Sequence, residues 1–170
     1  MKLSEAINNG ANILKKNNIP SFFLDSEILI GKILNKKREF IILNQNLEIQ
    51  KNDYLKYISL IQKRSTHTPI SYLTKSKDFW KSEFYVDNRV LIPRPDTEII
   101  IEEVLSILRA KKINNFLEIG VGSGCIVLSI LNEIKCLKAT GIDISQKALE
   151  VCKINSKKKH SYTISLFNKK

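Results

Sequence analysis

The sequence predicts an α/β chain, helical at its start and built at its end around a parallel sheet. Three observations carry this expectation. Apolar residues recur at helical spacing through residue 65 or so, a short strand pattern brackets Lys81-Ser82, and from Asn114 onward strand and helix periods alternate across a glycine-rich turn.

Leu3, Ile7, Ala11 and Leu14 mark the first helix, with acid and amide side chains between them, which is unlike the unbroken apolar core of a signal peptide. Leu24, Ile28 and Leu34 suggest the face of a second helix. Phe40 to Leu43 form a short apolar run, and Tyr54, Ile58 and Ile61 make a further i, i+4, i+7 stripe. Pro20 and the polar stretch Asn44 to Asn52 separate these elements. The expected unit is a small helical bundle over 1–70.

After Pro69 the pattern changes. Phe79-Trp80 and Phe84 to Val86 read as two short strands joined at Lys81-Ser82, with Val90-Leu91-Ile92 extended behind them, so 71–93 is expected to be a β-hairpin linker. Pro95 then stands where proline opens a helix, Asp96 and Glu98 suit its positive end, and Ile100, Val104, Leu105 and Leu108 form its inner stripe. In the remainder of 94–170, Phe116 to Ile119 is a strand, Ile126, Val127, Ile130 and Ile134 belong to a helix, and Ala139 to Ile144 is the next strand. Ser145 caps a second helix running to about Ser156, with Leu149 and Cys152 inward, and Tyr162 to Phe167 begins a third strand. Strand, helix, strand, helix, strand is the start of an open sheet of Rossmann type.

Composition narrows the function. The net charge is +11, yet residues 1–80 carry +6 and 81–170 carry +5, so neither half is a dedicated basic surface, which argues against a nucleic-acid partner. Ile (26), Lys (23) and Asn (15) dominate in the manner of A+T-rich coding, which weakens the charge as a functional signal. The lysine-rich tail from Lys153 to Lys170 reads as a solvated helix end. No stretch reaches the roughly 18 to 20 apolar residues of a membrane span. Cys125, Cys136 and Cys152 are odd in number and widely spaced, and His67 and His160 stand apart from them, so free thiols in the cytoplasm and no metal site are expected.

The chemistry concentrates in one loop. Gly120, Gly122 and Gly124 are three of the chain's six glycines, and they follow a strand and open a helix, where glycine permits the turn and lets a ligand approach unpaired N–H groups. A dinucleotide fingerprint would need glycine at 125, where Cys125 stands. Glu118 puts a carboxylate at the loop mouth, unfavourable for a pyrophosphate but suited to a ligand bearing ammonium and sulfonium charges. Asp143, at the end of the next strand, can accept bonds from two ribose hydroxyls. The pair fits S-adenosylmethionine better than NAD. No nucleophile-and-base constellation is evident, so catalytic residues stay unassigned.

The runs HTPISYLTKSKDFW, FYVDNRVLIPRPDTE, FLEIGVGSGCIVLSI and GIDISQKALEVCKIN, with DSEILIGKILNKKREF before them, resemble the HemK-type (PrmC) methyltransferases that modify a glutamine N5 in peptide chain release factors. The segment VLIPRPDTE is the most specific. The resemblance implies that Gly120, Val121, Gly122, Ser123, Gly124 and Asp143 contact the methyl donor, with Glu118 a neighbour, and that the fold is the first part of a Rossmann-like S-adenosylmethionine-dependent methyltransferase. It implies release factors as partners and the helical unit as their recognition domain. The family's Asn-Pro-Pro-Tyr motif, which holds the substrate amide for in-line attack, is absent, since Pro20, Pro69, Pro93 and Pro95 are never adjacent. A catalytically incomplete portion of such an enzyme, truncated before that motif, is therefore the expectation. The rival expectations are a noncatalytic release-factor-binding module and a nucleic-acid amino-methyltransferase.

Overall fold

Helical periodicity over the first 74 residues is realised as α1 (Leu3–Lys16), α2 (Phe22–Leu34), α3 (Arg38–Leu43), α4 (Lys51–Ser65) and α5 (Ile70–Thr74). The computed structural model describes residues 1–111, 113–134, 137–158 and 164–169, and its contacts divide the chain into Met1–Thr74 and Lys75–Lys170. Cys136, His160 and Tyr162 lie outside the described residues. In the first unit, Leu3, Ile7 and Leu14 from α1 meet Leu29, Ile30, Ile41, Tyr57 and Ile61, all essentially inaccessible to solvent.

On α2 the buried face differs from the expected Leu24, Ile28, Leu34 stripe. Leu24 is exposed, while Asp25, Ser26 and Glu27 are buried beside Leu29 and Ile30. Partners distant in sequence explain this. Asp25 Oδ2 accepts from Arg64 Nε at 2.7 Å and from Ser21 Oγ at 2.8 Å, and Glu27 Oε2 accepts from Arg38 Nε at 2.7 Å. Ser26 Oγ gives its proton to the Ile7 carbonyl at 2.7 Å, so the Tyr57 hydroxyl is the donor in their shared bond. A buried carboxylate is costly unless paired, and the arginines remove that cost here.

The second unit opens with a hairpin, β1 (Lys77–Phe79) antiparallel to β2 (Ser82–Phe84), whose turn is Trp80-Lys81. The sequence pattern places Trp80 in the first strand. Instead Trp80 has φ +54°, and its position is held by its N–H donating to Glu98 at 2.8 Å and its indole donating to Glu133 at 3.0 Å. Phe79 and Phe84 meet edge to face, 6.2 Å apart, within the same core as Ile101 and Leu105. Val90 to Ile92, expected to be extended, follow a turn closed by Val90 N donating to the Asp87 carbonyl.

Pro95 begins a 3-10 turn, Pro95–Thr97, that leads into α6 (Glu98–Ala110). Its inner residues are Ile101 and Leu105, with Val104 and Leu108 packed alongside, whereas Ile100 is half exposed, contrary to the periodicity reading. Beyond it come β3 (Asn115–Ile119), α7 (Cys125–Glu133), β4 (Lys138–Asp143), α8 (Gln146–Lys158) and β5 (Ile164–Asn168). The strands are parallel in the order β3-β4-β5, with Phe116 opposite Ala139 and Ala139 opposite Ile164. The architecture is thus α/β, with a helical region, a hairpin and a partial Rossmann-like sheet. Phe116, Ala139, Ile164 and Leu166 belong to the core that contains Val127, Leu128, Leu131 and Leu149 from the helices. Ser145 caps α8, its hydroxyl accepting from Ala148 N at 3.2 Å.

Gly10 gives the first unit a clear test. A Cβ there would lie 1.9 Å from Tyr57 Oη and 2.7 Å from its ring carbon. Helix propensity alone favours alanine by about 1 kcal/mol, whereas overpacking costs about 1 to 3 kcal/mol. Gly10→Ala is therefore expected to lower stability in urea unfolding; an increase would show that α1 and α4 do not approach this closely.

Candidate functional site

The β3–α7 turn reverses the chain in five residues through left-handed conformations that glycine adopts without strain. Gly120, Gly122 and Gly124 have φ of +78°, +53° and +80°. Gly120 N and Val121 N both donate to the Ile142 carbonyl, at 2.7 and 3.0 Å, tying the turn to β4. The glycines differ in their surroundings. A Cβ on Gly124 would strike Cys152 Sγ at 2.6 Å, so that glycine serves helix packing. A Cβ on Gly120 would meet nothing within 4 Å, and one on Gly122 only the Gly120 carbonyl at 3.9 Å. Those two leave open space above the backbone.

That space is a cleft of about 330 Å³. Gly120 to Ser123 with Glu118, Cys125 and Ile126 form one side, and Leu91 to Arg94 with Thr97 form the other. The expected residues Gly120, Val121, Gly122, Ser123 and Glu118 thus come together, while Gly124 and Asp143 do not line the cleft. The segment Leu91–Arg94, singled out in the sequence for its specificity alone, acquires a place as the opposing wall.

Both carboxylates near the turn hold backbone. Asp143 Oδ2 accepts from Gly122 N at 2.9 Å and Oδ1 accepts from Ser145 N at 2.8 Å. Glu118 Oε2 accepts from Val127 N, in the first turn of α7, at 2.9 Å. Burial pushes the Glu118 carboxyl up to about 7; the Val127 N–H opposes that shift and the negative charge of Asp143 adds to it. Burial likewise raises the Cys125 thiol to about 11 and the Cys152 thiol to about 12, so neither is an activated nucleophile.

Asn155 was not foreseen. Only 1% exposed, it donates from Nδ2 to the carbonyls of Ser123 and Tyr85, both at 2.9 Å, and accepts at Oδ1 from Tyr85 N at 2.7 Å. It joins the glycine turn to the strand exit that becomes the opposing wall. The available signal was a polar amide in register with Leu149 and Cys152 on an apolar helix face. The wall itself is braced at Asp87, which accepts from the Tyr85 hydroxyl at 2.9 Å and from the Arg89 guanidinium at 2.8 Å; Arg89 also reaches Glu150 at 2.9 Å. These bonds from Arg89 hold the Asp87 carboxyl well below the ordinary carboxylate range. Among the described residues, no three His, Cys, Asp or Glu side chains are grouped to hold a metal ion, and no helix is long and apolar enough to cross a membrane.

Residues 5–74 match the family described as the PrmC N-terminal domain. A release factor glutamine methyltransferase of Clostridium acetobutylicum is 37% identical over 91% of the chain and 54% of its own length. That of Leptospira interrogans is 40% identical over 84% of the chain and 50% of its own length. A bifunctional methyltransferase of Rickettsia typhi is 32% identical over 95% of the chain and 34% of its own length. The chain spans about half the length of the first two relatives.

Asn155→Ala removes three hydrogen bonds and strands the Ser123 and Tyr85 backbone groups. With each buried unsatisfied group costing about 1 to 3 kcal/mol, a loss of about 2 to 4 kcal/mol is expected in urea unfolding of the second unit. A loss below about 0.5 kcal/mol would mean that Asn155 does not hold the turn.

Proposed function

The chain is a relative of the release factor glutamine methyltransferases in both of its units, and on that premise we propose that its second unit binds S-adenosylmethionine at the glycine turn, for methylation of a glutamine amide in release factors. The observation carrying this reading is the open backbone at Gly120 and Gly122 inside a cleft whose one acidic lining residue is Glu118. Bound there, the donor supplies a methyl group on a positively charged sulfur. Transfer to the amide nitrogen forms an N–C bond, breaks the S–C bond, releases the thioether and sheds one amide proton.

The chain's own residues have distinct tasks in this reading. Gly120, Val121, Gly122 and Ser123 offer backbone to the ligand, and Gly124 lets α7 start close to Cys152. Asp143 anchors Gly122 and receives ribose hydroxyls, while Glu118 faces the cationic end. Residues 1–70 serve as the recognition domain, 71–93 as hairpin linker and 94–170 as the donor-binding part, at work in the cytoplasm. Transfer itself requires the amide to be held in line.

Calorimetry on the full chain is the direct test. S-adenosylmethionine should bind, and Gly122→Val, which forces a β-branched residue to φ +53° in the cleft floor, should weaken binding at least about tenfold. Equal binding by both would remove the glycine turn from the site. With labelled donor, label appearing on nucleic acid and not on release factor would overturn the substrate class.

Binding should also depend on pH in a defined direction. Before a cation binds, the Glu118 carboxyl keeps its proton up to about pH 7, and it must lose that proton to face one. Affinity is therefore expected to rise with pH below about 7, by at most about tenfold per unit for one proton, and to level off above it. Glu118→Gln should flatten the profile. An unchanged slope in that variant would assign the proton elsewhere.

A further inference from the structure

We propose that the outer edge of β5, with the lysine-lined pocket beside it, is a docking site for an extended segment of another protein in which acidic residues alternate with apolar ones. The pocket shares no lining residue with the cleft at the glycine turn, so the inference stands apart from the donor reading. β5 pairs with β4 on one side, and among the described residues no strand pairs with the other. A strand so placed offers every second N–H and C=O to a further strand. The edge is also held in position. Asn168 Nδ2 donates to the carbonyls of Asp143 and Ile144, both at 3.0 Å, and Ile164 and Leu166 pack against the core.

Charge selects the occupant. Lys153, Ser156 and Lys157 of α8 border a pocket of about 210 Å³ whose remaining lining is Ile164 and Leu166 of β5. Both lysines are exposed, and among the described residues neither has an ion pair or a side-chain hydrogen bond. The single acid of α8, Glu150, is engaged by Arg89 at 2.9 Å, so no carboxylate of their own helix neutralises them. Their spacing is specific. Four residues on one helix face span about 6 Å along the axis, and side chains two apart on one face of a strand span about 6.6 Å. Because α8 carries the chain back from β4 to the parallel β5, the two rows run side by side. Two carboxylates at alternate positions of an added strand therefore meet both ammonium groups, and the residue between them falls on the opposite face, beside the half-exposed Phe167. An apolar side chain suits that place. A second copy of this edge would bring lysines against lysines, which disfavours self-pairing.

The test uses the full chain and capped, fluorescein-labelled heptapeptides read by anisotropy: one alternating glutamate with valine, one with the same residues in blocks, and one alternating lysine with valine. The alternating acidic peptide is expected to bind at least about tenfold more tightly than either control. N-methylation of its backbone nitrogens keeps the charges, removes the strand donors, and should abolish that advantage. Lys153→Glu combined with Lys157→Glu should weaken binding at least about tenfold, two exposed attractions becoming repulsions, and leave the circular dichroism melt unchanged. Equal binding of the block or N-methylated peptide, or unchanged binding by the double variant, would reduce the surface to unspecific charge and overturn the inference. Displacement by an equal charge of single-stranded oligonucleotide would overturn it in favour of a nucleic-acid contact. No binding at about 1 mM peptide would also sink it. None of these results bears on the donor reading, which calorimetry with S-adenosylmethionine tests separately.

Discussion

The second unit is organised around one difficult piece of backbone, the turn that carries β3 into α7. Three left-handed residues in five expose N–H groups and give up conformational entropy, at about 1 to 2 kcal/mol per fixed residue. Side chains from three separate elements offset this. Glu118 from β3 holds the first turn of α7, Asp143 from β4 holds Gly122, and Asn155 from α8 holds Ser123. Each such hydrogen bond contributes about 0.5 to 1.5 kcal/mol, and together they hold the turn in one shape before any ligand arrives. Backbone bonds tie the turn to β4 as well, because Gly120 N and Val121 N share the Ile142 carbonyl.

What could be read from the sequence was what repeats or is chemically rare. The strand and helix alternation after Asn114, the glycine turn and the Ser145 cap are local patterns, and the structure has them where the residues indicate. The misread features depend on partners far along the chain. The face of α2 turned about its axis because Asp25 meets Arg64, 39 residues on, a pairing no periodicity encodes. Trp80 left its strand because Glu98 and Glu133 anchor it in a turn where a bulky residue is seldom found. Asn155 was passed over since an isolated amide in a helix carries no signal until its three backbone partners, 32 and 70 residues away, are known.

Apolar surface is unevenly distributed over the sheet. Its helix-facing side packs into the core through Ala139, with Phe116 and Leu166 partly buried beside it, but the other side presents Leu117, Ile119 and Phe167, each about half exposed or more. The helices differ in the same way: α6 leaves Ile99, Ile100 and Ile107 exposed, whereas Val127, Leu128 and Ile130 of α7 are buried between α6, α8 and β4. Contiguous apolar surface of this kind favours association, and it belongs to the sheet face more than to the helices.

Using Asp143 to build the turn does not exclude it from holding a ligand. An ionised carboxylate has about four lone-pair directions, and Gly122 N and Ser145 N occupy one on each oxygen. Two acceptor directions remain beside these bonds, and the backbone bonds fix the plane in which they point. Glu118 is in a different position. Only Oε2 is engaged, and the group is buried deeply enough to keep its proton near neutrality, so its full charge develops when a cation approaches. The two carboxylates thus differ: Asp143 presents acceptor positions set by its backbone bonds, and Glu118 responds to charge. A ligand with a neutral polyol at one end and a cation at the other is the kind of molecule that uses both.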